Sequence, residues 1–180
     1  NFFFKVRHRM LESQLHEHHL LRFDVELLEK PENNSEKLAH VVFYDENAKR
    51  VASFNLPVIT KETTYELIQS GKDINLNSSY IKDFSLSEYK ALQSIDRHEM
   101  VSLKNLSARY SIFDCELETD FSYAHFEGEK TSFESAIFSN GFVNFFHADF
   151  GHGSVNFKRT KFGSGSTSFR SVKFGEGDIS

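Results

Sequence analysis

The sequence predicts a mainly β chain, a β-solenoid of ~24 residues per coil preceded by a small α+β domain. Three observations predict it. Residues 119–178 repeat with a period of twelve, each unit carries Phe at its third and eighth positions, and a small or β-branched residue stands two before every one of these rings. Residues two apart in an extended segment point the same way, so each such pair faces one interior.

The units read TDFSYAHFEGEK (119–130), TSFESAIFSNGF (131–142), VNFFHADFGHGS (143–154), VNFKRTKFGSGS (155–166) and TSFRSVKFGEGD (167–178). Their rings are Phe121, Phe126, Phe133, Phe138, Phe145, Phe150, Phe157, Phe162, Phe169 and Phe174, which form the expected structural core. The inward partners are Thr119, Ala124, Thr131, Ala136, Val143, Ala148, Val155, Thr160, Thr167 and Val172. A coil of one unit would enclose two rings in a cross-section too narrow for them, and dense interiors do not tolerate overfilling. Two units per coil is therefore the expectation.

These residues resemble the pentapeptide-repeat family, whose units hold a small residue, a polar residue, a central Leu or Phe and two more. The resemblance covers residues 119–180, with less regular units from Val101-Ser102-Leu103 or Ala108-Arg109-Tyr110. It implies a right-handed parallel β-solenoid of quadrilateral section, four units to a coil. The departure is that every second unit is longer by two residues, as at Gly151/Gly153, Gly163/Gly165 and Gly175/Gly177. Positive φ at the corners is the expected reason for these glycines; no Walker lysine or strand-to-helix context gives them a phosphate-binding role.

With 24 residues per coil, outward residues stack in rows: His125/Asp149/Lys173, Asp120/Asn144/Ser168, Ile137/Lys161 and Ser132/Asn156. Acids come early in the repeat, whereas Lys158, Arg159, Lys161, Arg170 and Lys173 follow one another late and make a candidate interaction surface. The Phe side chains are committed inward, so no exposed aromatics interleave with these cations, which disfavours nucleic acid. Residues 119–180 hold seven acids and six Lys/Arg, leaving −4 of the formal −5 to residues 1–118. Neither part is a polybasic nucleic-acid binder.

Residues 1–100 lack the repeat and read as a separate α+β domain, a cap for the solenoid occupying 101–180. Phe4, Val6, His8 and Met10 alternate with basic residues, and Leu21, Phe23, Val25 and Leu27 alternate with Arg22, Asp24 and Glu26, each a strand with one buried face. A loop spans Pro31–Ser35. Val41–Tyr44 and Val51–Leu56 flank the polar turn Asp45–Ala48, a hairpin pattern. Thr63/Glu66 and Ser85/Glu88 read as capping boxes opening two short helices, the first stopped by Gly71 and the second buried through Tyr89, Leu92 and Ile95.

The chemistry of enzymes is missing from this pattern. His16-Glu17-His18-His19 fails the His-Glu-x-x-His zinc spacing, no Ser, His and Asp combination marks a triad, and Cys115 occupies an inward position two before Leu117, where a thiol is inert. No catalytic, cofactor-binding or metal site is expected, and no cofactor. The single Cys excludes an internal disulfide, no run approaches the ~20 apolar residues of a membrane span, and a cytoplasmic setting follows as the default. The chain opens without Met and stops two residues into a sixth unit, which reads as a piece of something longer.

The expected function is a non-catalytic interaction or scaffolding module that presents a rigid surface to a protein partner whose identity, like the oligomeric state, the sequence leaves open. Two alternatives accompany it. The family resemblance suggests a DNA-mimic rod that binds a type II topoisomerase, against which the near-neutral repeat counts. Phe2-Phe3-Phe4 before Lys5, Arg7 and Arg9 suggests the cytoplasmic domain of a membrane-tethered protein, its anchor outside this stretch. An enzyme in residues 1–100 would need a pocket with converging polar groups.

Overall fold

The computed structural model describes residues 22–28 and 37–180. The strand expected at Phe4–Met10, the loop Pro31–Ser35 and the His16–His19 cluster lie outside them. The chain is mainly β, with many short parallel strands. No helix of the described residues is long and apolar enough to cross a membrane.

Three strands come first: β1 (Arg22–Leu28), β2 (Leu38–Tyr44) and β3 (Arg50–Pro57), antiparallel in the order β1–β2–β3. The β2–β3 hairpin closes as its residues dictate. The Asp45 carboxylate accepts from the Asn47 and Lys49 N–H groups at 2.9 Å each, and Ala48 takes φ +58°. Alternation puts Ala39, Val41 and Phe43 on one buried face.

Helix α1 (Lys61–Gln69) starts one turn before the expected capping box. Its cap is Thr60, whose hydroxyl accepts from Thr63 N–H at 3.2 Å. The stop at Gly71 is a Schellman motif: Gly71 takes φ +61° and donates to the Ile68 carbonyl, while Lys72 donates to Leu67.

Helix α2 (Leu86–Leu92) begins at Ser85, whose hydroxyl accepts from Glu88 N–H. The reciprocal half of that capping box is absent. Glu88 instead accepts from Lys61 Nζ at 2.7 and 2.8 Å, and Ser85 N–H donates to the Tyr65 hydroxyl. The expected stripe is also corrected, because Leu92 is 65% exposed and the helix buries Leu86, Tyr89 and Lys90. Lys90 lies with its stem in the core, Nζ donating to the Arg97 carbonyl and sitting 4.6 Å from the Tyr123 ring centre. Burial lowers its pKa.

The Lys61–Glu88 contact joins the two helices and has a signature in pH. The hydrogen bond from Lys61 holds the Glu88 carboxyl below its usual range. A depressed folded-state pKa contributes stability above the ordinary glutamate value of about 4.3, and that contribution disappears as pH falls through the folded pKa. Lys61→Met is expected to flatten the stability-versus-pH curve below about pH 4.5, measured by urea unfolding at a series of pH values. An unchanged slope would remove the pair from the stability of the cap.

From residue 74 onward the strands are parallel and very short. One stack joins β4 (Ile74–Asn75), β7 (Leu106–Ser107), β11 (Lys130–Ser132) and β14 (Ser154–Asn156); a second joins β5 (Tyr80–Lys82), β8 (Ile112–Asp114) and β12 (Ile137–Phe138). The third joins β9 (Glu118–Asp120), β13 (Phe142–Asn144) and β15 (Thr167–Ser168), and the fourth β6 (Val101–Leu103) and β10 (Ala124–Phe126). Within the regular repeat, partners are 24 residues apart: Thr119↔Val143↔Thr167, Thr131↔Val155 and His125↔Asp149↔Lys173. All four outward rows read from the sequence appear in these pairings.

The rings form four columns. Phe113/Phe138/Phe162, Phe121/Phe145/Phe169, Phe126/Phe150/Phe174 and Phe133/Phe157 stack with centroids 4.6–5.2 Å apart and planes within 10°. That spacing is the inter-strand repeat of roughly 4.8 Å. Rings of neighbouring columns meet edge to face, as in Phe133–Phe145 at 84° and Phe145–Phe157 at 89°. The arrangement satisfies the aromatic quadrupole in both directions. Backbone hydrogen bonds repeat with it: Phe121, Phe133 and Phe145 N–H donate to the carbonyls of Asn144, Asn156 and Ser168. Phe169 and Phe174, in the last stacked unit, are 39% and 43% exposed.

The glycine expectation is largely overturned. Left-handed φ falls on the fifth residue of each unit, Tyr123, Ser135, His147, Arg159 and Ser171, all between +53° and +59°. Of the glycines in the repeat only Gly151 shares it, at +58°. The others are required by close approach, since each passes over the backbone of the coil beneath: a Cβ on Gly163 would lie 2.5 Å from the Ser139 carbonyl oxygen.

The boundary drawn at residue 101 also moves, because Ile74 and Tyr80 already pair in the stacks with Leu106 and Ile112. Irregular spacing hid these strands. The register Thr131↔Leu106 puts Ala108 where Phe133 stands one coil later, so large and small exchange places there, and Tyr110 takes the left-handed position. Leu117 is 81% exposed, which removes Cys115-Glu116-Leu117 as an inward pair; Cys115 is nevertheless buried, its Sγ 3.7 Å from Ser139 Oγ.

The cap is divided. The two helices close one end of the columns, with Phe84 4.8 Å from Phe121 and Tyr65, Ile68, Leu86 and Tyr89 in the same core as the repeat rings. The three-stranded sheet packs elsewhere. Ala39, Val41 and Phe43 cover the outward residues Tyr80, Ile112 and Ile137 on the side built from β5, β8 and β12.

Candidate interaction surface

The five cations expected to share a surface are distributed around the coil. Lys158 and Arg159 follow β14, Lys161 pairs beyond Ile137, Arg170 follows β15, and Lys173 pairs with Asp149 in the continuation of β10. Only the first three are neighbours. Arg159 bonds Glu134 of the preceding coil at 3.0 Å, and Arg109 bonds the same carboxylate from the coil before that at 2.8 Å. Glu134 is thus held between two guanidinium groups and little of it meets solvent. Burial lowers the pKa of Lys161, which lines a cleft of about 660 Å³ between β1 and the β5–β8–β12 side.

These placements change what a surface substitution should do. Lys158 is exposed, and Lys158→Ala is expected to leave the unfolding midpoint within about 0.5 kcal/mol of the parent. Replacing Lys158, Arg159 and Lys161 together is expected to cost about 1–3 kcal/mol, because Glu134 loses a charged partner in a poorly solvated setting. Guanidinium titration monitored by circular dichroism separates the two outcomes.

Two surfaces were not legible from the cations. Tyr123, Phe146 and His147 point outward and meet one another, with Tyr123 and His147 stacked at 5.1 Å and His98 against Tyr123 from the loop after α2. The fifth-position turn throws these rings outside, a signal available once that turn is known. The other surface is a shallow groove of about 640 Å³ on the side built from β4, β7, β11 and β14. Its floor is short and polar, carrying Ser107, Ser132 and Asn156, and its rims are long and charged.

Among the described residues no three His, Cys, Asp or Glu side chains are grouped to hold a metal ion. Tyr80 donates to Asp114 inside the β1 cleft, and burial together with that carboxylate drives the phenol far above its usual range. That contact is an internal hydrogen bond at a packed seam.

Fold and surface together define a strand-stacked repeat chain whose interior is filled by its own rings and whose ligand-accessible chemistry lies on the outside. No family model, no curated protein and no solved structure matches this chain.

Proposed function

We propose that the chain is a right-handed, quadrilateral β-solenoid of the pentapeptide-repeat type that serves as a non-catalytic protein-interaction module. The observation that carries this reading is the ring columns. Phe121, Phe126, Phe133 and Phe145 are 0% exposed, so the stack leaves no interior space for a substrate, and recognition falls to rows of outward side chains held at a fixed spacing. A rigid surface loses little conformational entropy on binding, which favours recognition of another macromolecule. The rows alternate in sign, as in Arg109–Glu134–Arg159 and His125–Asp149–Lys173, and favour a protein surface over mimicry of a uniformly anionic duplex.

The test is capture of partners from extract of the native organism on the immobilised chain, repeated with variants at outward row positions, Asn144→Arg, Lys158→Glu and Lys173→Glu. The expected result is a retained protein that at least one variant releases while thermal unfolding stays unchanged. Retention indifferent to every outward row, or no retained protein at all, would overturn the reading.

A further inference from the structure

The four sides of the strand stack are not equally covered. The three-stranded sheet lies on the β5–β8–β12 side, and the loop after α2 meets the corner that carries Tyr123. The β4–β7–β11–β14 side holds the polar groove, to which neither the sheet nor the helices contribute a residue.

The two walls of that groove differ in charge. The wall that follows the strands carries Arg109, Lys158 and Arg159 around the enclosed Glu134. The wall that precedes them carries Asp73, Glu129 and Asp178, with Lys130 as its single cation, all four exposed. Asp73 is tied to this wall by Asn105, and Asp178 by the bond its carbonyl accepts from Val155 N–H. The floor between them, Asn75, Ser107, Ser132 and Asn156, is built from hydroxyls and amides that both donate and accept. Four strands at roughly 4.8 Å make a floor of about 14 Å, the span of four or five residues of extended chain.

We propose that this groove binds an extended peptide segment of a protein partner in which acidic and basic side chains alternate. Successive side chains of a strand point to opposite sides. A strand laid along the groove therefore sends one set to the Arg109/Lys158 wall and the other to the Asp73/Glu129/Asp178 wall. Its backbone N–H and C=O groups face the Ser/Asn floor, which can answer both. A sulfated or carboxylated glycan would satisfy only the basic wall and meet repulsion at the other. The inference rests on the interaction reading above and specifies its surface.

The probe is a ten-residue peptide of alternating Glu and Lys with blocked ends, compared by fluorescence anisotropy with its block isomer, five Glu followed by five Lys, and with a sulfated heparin fragment. At low salt the alternating peptide is expected to bind the full chain at least tenfold more tightly than the block isomer. Ser132→Tyr, which fills the floor, and Lys158→Glu, which inverts part of one wall, are each expected to weaken it at least fivefold. Thermal unfolding identifies any variant that fails to fold, and Lys158→Glu, at an exposed site, keeps the test decisive if Ser132→Tyr does. Equal affinity for the two isomers, preference for heparin, indifference to Lys158→Glu, or no binding at millimolar peptide would each overturn the proposal. A partner captured equally by the parent and by folded Ser132→Tyr would sink the groove while leaving the interaction reading intact.

Discussion

Phe145→Ala is expected to destabilise the chain by about 3–5 kcal/mol, the largest effect of any single truncation in the repeat. Phe145 is fully buried, stacked on Phe121 below and Phe169 above at 5.1 Å each, and flanked edge-on by Phe133, Phe138 and Phe157. Removing it opens a void that no neighbour can fill, because each adjacent ring is fixed in its own column by the inter-strand spacing. Phe174→Ala, at a ring 43% exposed with a single stacking partner, is expected to cost less than half as much. Guanidinium unfolding of the three proteins measures the difference, and equal losses would mean that the columns do not carry the stability.

Gly163→Ala is the second large effect, about 1–3 kcal/mol or more for the addition of one methyl group. The new Cβ would meet the Ser139 carbonyl oxygen at 2.5 Å and its carbon at 2.7 Å. These are backbone atoms, so relief requires the two coils to separate and the stacked hydrogen bonds to lengthen. By contrast Gly71→Ala adds a Cβ into open space, and its expected loss of about 1 kcal/mol comes from the left-handed φ alone. Thermal melts of both variants distinguish collision from conformational strain. A neutral Gly163→Ala would show that adjacent coils are held less closely than their pairing implies.

The repeat was legible because its constraint is periodic. Phe two after a small residue, ten times over, states both which side chains face inward and how far apart they stand, and the 24-residue pairing follows from the size of the ring. Where large and small exchange, at Leu106 and Ala108, or where spacing is irregular, at Ile74 and Tyr80, the same stacks continue with no periodic signal. The helix starts were legible to within a turn. Thr60 replaced Thr63 because any hydroxyl ahead of the helix can accept the orphan N–H groups, and the choice among several lies with packing.

The expected interaction surface was the least legible part. Adjacency in sequence brought Lys158, Arg159, Lys161, Arg170 and Lys173 together, but the coil sends them to separate sides, and Glu134 reaches Arg159 from 25 residues earlier. A charged row belongs to the coils above and below it. Its members are spaced by a full turn along the chain.

By itself, the sequence determined what lies inside the repeat, since only the alternation of rings and small residues at fixed spacing fills a narrow interior, and that rule is local. It also determined the hairpin at Asp45 and the stop at Gly71, each a matter of a few residues and their backbone preferences. The tertiary structure alone decided why Gly163 must be glycine, which cations stand free of carboxylates, and which sides the sheet and helices cover. Those outcomes depend on atoms a whole coil away, brought within contact distance by stacking.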